Sequence, residues 1–103
     1  MLYNFCSQSG CTDGGYPYAE LVLDAKGNLY GTTSQGGKSN DGIVFKVTPS
    51  GEETVLHNFC SEGGCRDGAD PTAGLVFDAK GNLYGTTYVG GAHNQGTVFK
   101  LKP

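Results

Sequence analysis

The chain has 103 residues, 18 of them glycine, with no tryptophan and a formal net charge of -3. Glycine at that density argues against a helical protein, since each glycine inside a helix costs roughly 1 kcal/mol relative to alanine. Seven basic residues are scattered without a stripe, which excludes a typical nucleic-acid surface, and no apolar run is long enough to span a bilayer as a helix.

The first segment, Met1 to Phe5, lacks the charged start and apolar stretch of a secretory signal. Cys6 and Cys11 follow, and Cys60 and Cys65 repeat the same C-x4-C spacing. Each pair is read as a local disulfide closing a small loop, which implies an oxidising compartment outside the cytoplasm. Four free thiols and a zinc site are the alternatives. Zinc is disfavoured because neither repeat supplies a third and fourth ligand nearby. No cofactor is expected.

Residues 1–49 align with residues 55–103 without a gap, at an offset of 54, and 31 of the 49 pairs are identical. The chain therefore divides into repeat units at 1–54 and 55–103. Within the first unit, strand-like runs fall at Leu21 to Leu23, Leu29 to Thr33, Ile43 to Val47 and Glu53 to Phe59. They are rich in Val, Thr, Tyr and Phe, which suits a pleated surface. Turn signals at 24–28 and 48–52 separate them, and Gly27 sits where positive φ is needed. Asp24 and Asp78 are expected to brace their turns through hydrogen bonds to backbone N–H groups.

Four antiparallel strands per repeat at this period predict an all-β protein of β-propeller blades, two per chain, with the ring completed by oligomerisation. Consecutive apolar residues in Leu21-Val22-Leu23 fit a blade covered on both faces. Residues 1–5 match the outer strand at 55–59 and are expected to be donated to the Gly96 to Leu101 strand of another copy. A homotrimer with six blades is the first expectation, a homotetramer with eight the second, and an open filament the third.

The runs D-A-K-G-N-L-Y-G-T-T (24–33 and 78–87), G-G (36–37 and 90–91), G-x-V-F-K-x-x-P (42–49 and 96–103) and V-L-x-N-F (55–59) carry a family resemblance. The chain resembles the GloVer-type, or Gloeo-Verruco, tandem repeat over essentially its whole length. That resemblance implies a propeller-like extracellular or cell-surface bacterial repeat protein. It implies no catalytic residues. D-x-x-G-N-L-Y is also similar to the turn of NHL-type propellers.

Loops 6–20 and 34–42, with their second copies, are expected to share one face. Twelve of the 18 differing pairs fall in them, and loops on a rigid frame commonly carry binding residues. The ligand-binding candidates are Tyr16, Tyr18, Lys38, Asp41, Arg66, Asp70, Tyr88 and His93. Tyrosines beside polar groups suit a sugar ring, so a glycan is the alternative partner. Asp67 and Asp70 fall short of a dedicated calcium loop. Catalysis is not expected. His57 and His93 do not recur between copies, and Asp13 and Asp67 are equivalent residues with similar neighbours, unlike the differentiated carboxylates of a glycosidase. The reading is a non-catalytic extracellular scaffold repeat that self-assembles.

Overall fold

The computed structural model describes residues 2–17, 19–61 and 63–103. Its strands, in chain order, are β1 (Val22–Leu23), β2 (Leu29–Thr33), β3 (Ile43–Val47), β4 (Glu53–Asn58), β5 (Val76–Phe77), β6 (Leu83–Thr87) and β7 (Thr97–Leu101). They form two antiparallel sheets, one in the order β1-β2-β3-β4 and one in the order β5-β6-β7. Single 3-10 turns at Ser9–Cys11 and Gly63–Cys65 are the described helical elements.

The offset of 54 governs the backbone as well as the sequence. Val22 pairs with Tyr30 and Val76 with Tyr84; Gly31 pairs with Phe45 and Gly85 with Phe99. The positive-φ residues Cys6, Cys11, Tyr16 and Asn40 recur as Cys60, Cys65, Asp70 and Asn94. Such φ values are uncommon outside glycine, so their recurrence shows one loop geometry built twice. Glycine in the L-Y-G-T-T strand has a packing reason. A Cβ on Gly85 would lie 2.6 Å from the Phe99 ring and 2.8 Å from Leu75, and Gly31 meets Phe45 and Leu21 in the same way.

The two sheets pack together through one apolar cluster. Tyr30 and Val44 from the first sheet meet Phe59, Leu75 and Leu83, with Val22, Leu56, Phe77, Phe99 and Leu101 at the margin. Edge-to-face contacts join Tyr30 to Phe77 at 5.2 Å and Phe59 to Phe99 at 5.1 Å, the arrangement that aromatic quadrupoles favour. On the other face of the first sheet, Ile43, Phe45 and Val47 form a second cluster with Leu29, Val55, Tyr3 and Phe5.

Two expectations need correction. The first strand is two residues, not three: Leu21 leaves the ladder, and Leu21 and Leu23 are exposed because they lie on the face opposite Val22, which the second sheet does not cover. The fourth strand stops at Asn58, because the chain turns at Phe59 and Cys60, where Cys60 takes a φ of 59°. Residues 2–5 form no strand within the single chain. Tyr3 and Phe5 lie across the first sheet, with the Phe5 ring 4.9 Å from that of Phe45. The second sheet accordingly has three strands, and β7 presents an unpaired edge.

The turn glycines behave as the sequence suggests, with φ of 83° at Gly27 and 85° at Gly81. Gly27→Val should destabilise the chain by about 1–2 kcal/mol, since the β-branched side chain is forced into the left-handed region. A urea melt reads this directly, and a midpoint equal to that of the parent would show that the turn can be rebuilt.

Candidate functional site

The chemistry-bearing side chains fall into three places that the sheets position. The first is the pair of D-A-K-G-N turns. Asp24 Oδ1 accepts the Lys26 and Asn28 backbone N–H groups at 2.9 Å, and Oδ2 accepts the Asn28 amide and the Tyr30 hydroxyl, also at 2.9 Å. Asp78 repeats all four bonds with Lys80, Asn82 and Tyr84. The Asn28 side-chain amide, with its backbone N–H and Tyr30, holds the Asp24 carboxyl down at about 2. The Asn82 side-chain amide, with its backbone N–H and Tyr84, likewise holds the Asp78 carboxyl well below the ordinary carboxylate range. Both carboxylates are structural braces.

The second place is the junction of each disulfide loop with the sheet that follows. Cys6 is bonded to Cys11 and Cys60 to Cys65, and this bonding indicates an oxidising, non-cytoplasmic environment. Asp13, buried at the end of the first loop, accepts from the Tyr3 hydroxyl at 2.6 Å and from Ser7 N–H and Oγ at 3.0 and 2.9 Å. Burial opposes its charge, yet these bonds hold its carboxyl below the ordinary value. Asp67 occupies the same position in the second repeat and meets His57 Nε2 at 3.0 Å, Ser61 N at 3.1 Å and Ser61 Oγ at 2.8 Å. His57 thus does what Tyr3 does, which explains how a histidine and a tyrosine exchange at equivalent positions.

Glu53 belongs to this second place and carried no sequence signal. Its carboxyl is pushed up to about 7, first by burial and then by the Asp13 charge. One carboxyl oxygen, Oε2, is buried without a hydrogen-bond partner. The folded chain therefore binds this proton more tightly than the unfolded chain, whose glutamate titrates near 4.5. Its contribution to stability is complete below pH 4.5 and is lost as pH rises through about 7. Glu53→Gln should remove that dependence, raising stability at pH 8 by on the order of 2 kcal/mol after allowance for solvent screening. At pH 4 it should change little. Chemical denaturation at both pH values checks this, and equal effects at pH 4 and 8 would contradict it.

The third place is the loop face. Isolated bridges join Gly15 to Gln35 and Ala69 to Val89, so loops 6–20 and 34–42 lie side by side in each repeat as expected. Tyr16 and Tyr88 are exposed, at 62% and 71%. Lys38, Arg66 and His93 are exposed and Asp41 and Asp70 half-buried. Tyr18 lies outside the described residues. These candidates do not converge. Asp41 and Asp70 meet through backbone, Asp70 N–H donating to the Asp41 carbonyl at 2.9 Å. Lys38 N–H donates to Asn58 Oδ1. Tyr88 lines a polar groove of about 460 Å3 with Thr72, Asn94 and Gln95, and Tyr16 a separate hollow over the Cys6–Cys11 loop. Among the described residues one group has metal-ligating types close together, Asp41 with Cys60 and Cys65. The two sulfurs are already bonded to each other and offer no thiolate to a metal.

Among the described residues, no helix is long and apolar enough to cross a membrane. A family model, the Gloeobacter/Verrucomicrobia repeat, matches residues 1–103. No curated protein matches the chain.

Proposed function

The chain belongs to the Gloeobacter/Verrucomicrobia repeat family, and from that premise we propose that it is a non-catalytic extracellular scaffold module whose sheets are propeller blades and whose copies associate head to tail. One observation carries this reading: the contact between the two sheets defines two matching surfaces, and each also occurs unpaired. The first sheet meets the second with Val22, Tyr30 and Val44. Their equivalents in the second sheet are Val76, Tyr84 and Val98, and Val98 is 80% exposed where Val44 is 0%. The second sheet meets the first with Phe59, Leu75, Leu83 and Phe99, whose equivalents Phe5, Leu21, Leu29 and Phe45 line an apolar groove of about 420 Å3 at the far face of the first sheet. An exposed apolar patch built to match another patch on the same chain is a heterologous interface.

The strand edges support the same contact. β4 adds to β3 while Phe59, just beyond it, packs onto the next sheet. Residues 2–5 correspond to residues 56–59, and Tyr3 and Phe5 already pack on their own sheet as that pattern requires. Pairing of Leu2 to Asn4 with β7 of a second copy completes that copy's second sheet. A ring of whole chains then has an even number of blades. A trimer with six is preferred, a tetramer with eight is second, and a filament forms if the rotation does not close. Deleting residues 1–5 should abolish the oligomer in sedimentation velocity, and an unchanged sedimentation coefficient would refute strand donation.

A second reading rests on the polar groove beside Tyr88. A threonine, an asparagine and a glutamine next to an exposed tyrosine ring suit a carbohydrate. Reproducible glycan-array hits that vanish in Tyr88→Ala would favour it.

A further inference from the structure

The Cys60–Cys65 disulfide lies at the joint between the two repeats. Three hydrogen bonds tie loop 34–42 of the first repeat to the second there. Asp70 N–H donates to the Asp41 carbonyl at 2.9 Å, Phe59 N–H to the Gly42 carbonyl at 3.0 Å, and Lys38 N–H to Asn58 Oδ1 at 2.9 Å. So held, the Asp41 carboxylate lies within 4.8 Å of both the Cys60 and the Cys65 sulfur, and all three residues are half-buried. Both segments are internal to the chain.

The charge sets this disulfide apart from its counterpart, Cys6–Cys11. Gln95 stands at the place of Asp41 in the second repeat. Asp13 and Asp67 accept from Ser7 and Ser61 in the same way, so neither distinguishes the two disulfides. The hollow over Cys6 and Cys11 is lined by Tyr16, Gln35 and Asn40, with no acid among the described residues. Arg66 follows Cys65 in sequence but lines a different hollow, with His57, Asp67 and Phe99, in which neither sulfur takes part.

Reduction of a disulfide consumes two thiols. The first attacks as a thiolate: its sulfur bonds to one cysteine, the S–S bond breaks, and the other cysteine leaves as a thiolate. A second thiolate then bonds to the first reagent's sulfur, which releases the reagent disulfide and the remaining cysteine thiolate. The two protons of the reagent thiols end on the two cysteines. Each step brings negative charge to sulfurs that lie beside Asp41, and a half-buried carboxylate is incompletely screened by water. We propose that Asp41 guards the Cys60–Cys65 disulfide against thiolate attack, most strongly by anionic thiols, so that the joint between the repeats keeps its cross-link. The guard acts within one chain and does not rest on association between copies.

The test is the reduction rate of each disulfide in the intact chain, read by alkylation and peptide mapping. The anionic reagent is 2-mercaptoethanesulfonate and the cationic one cysteamine. Asp41→Asn should speed attack by the sulfonate on Cys60–Cys65 roughly three- to tenfold, and attack by cysteamine distinctly less. Cys6–Cys11 in the same molecules should keep its rates, which also reports that the variant is folded. A second arm needs no variant. In the parent chain, salt at about 1 M should narrow the gap between the two reagents more at Cys60–Cys65 than at Cys6–Cys11. An unchanged rate at Cys60–Cys65 in the variant, equal acceleration with both reagents, equal acceleration of both disulfides, or a salt response equal at the two would each overturn the proposal.

Discussion

Phe59→Ala should remove most of the chain's stability at room temperature. Phe59 is 1% exposed and is the largest fully buried side chain. It joins the two sheets, meeting Phe99 at 5.1 Å and His57 at 4.9 Å. Truncating a buried phenylalanine costs about 3–5 kcal/mol, because transfer energy is lost and the cavity collapses only partly. A domain of this size has a total stability near the low end of about 5–15 kcal/mol, so the loss consumes most of it. Far-UV circular dichroism and a urea melt measure the outcome. Phe5→Ala makes the control, since Phe5 occupies the equivalent position on an uncovered face. It should cost the isolated chain distinctly less, and equal costs would show that the two faces are not as different as their burial implies.

Val98→Asp should convert assemblies into single chains while leaving the fold intact. Val98 is 80% exposed in the chain, so a carboxylate there meets water and costs little stability. Its equivalent, Val44, is wholly buried against the second sheet. If copies associate as the two sheets do, the aspartate would be buried without a partner, at a cost of several kcal/mol. That corresponds to a loss of at least a hundredfold in association. Sedimentation velocity with circular dichroism separates the cases. A folded variant that still assembles would place the interface elsewhere, and an unfolded one would mean that Val98 supports its own sheet.

Most of the frame was legible in the sequence, for a physical reason. A repeat that keeps D-A-K-G-N-L-Y-G-T-T unchanged keeps every donor and acceptor of the Asp24 brace, and the second copy reproduces all four bonds at Asp78. The local disulfides were legible because each pair recurs five residues apart as a unit. The limits of β1 and β4 were not, because Leu21 continues an apolar run while its backbone leaves the ladder, and Phe59 lies where the chain turns into the left-handed Cys60. Leu21 is placed by its approach to Gly31, and Phe59 by its packing against Phe99. Glu53 escaped notice because nothing in its local sequence signals burial, and its environment comes from Asp13, forty residues earlier. The loop-face candidates were chosen as residue types on variable loops, a criterion that does not ensure convergence. Tyr16 and Arg66 line separate hollows.

The central claim is that the contact between the two sheets is reused between copies. Native mass spectrometry of the chain at micromolar concentration tests it most directly. The expected result is a discrete oligomer of the 10.7 kDa chain, a trimer first and a tetramer second, that falls to monomer with Val98→Asp. A single species at 10.7 kDa, folded and soluble at the same concentration, would contradict it.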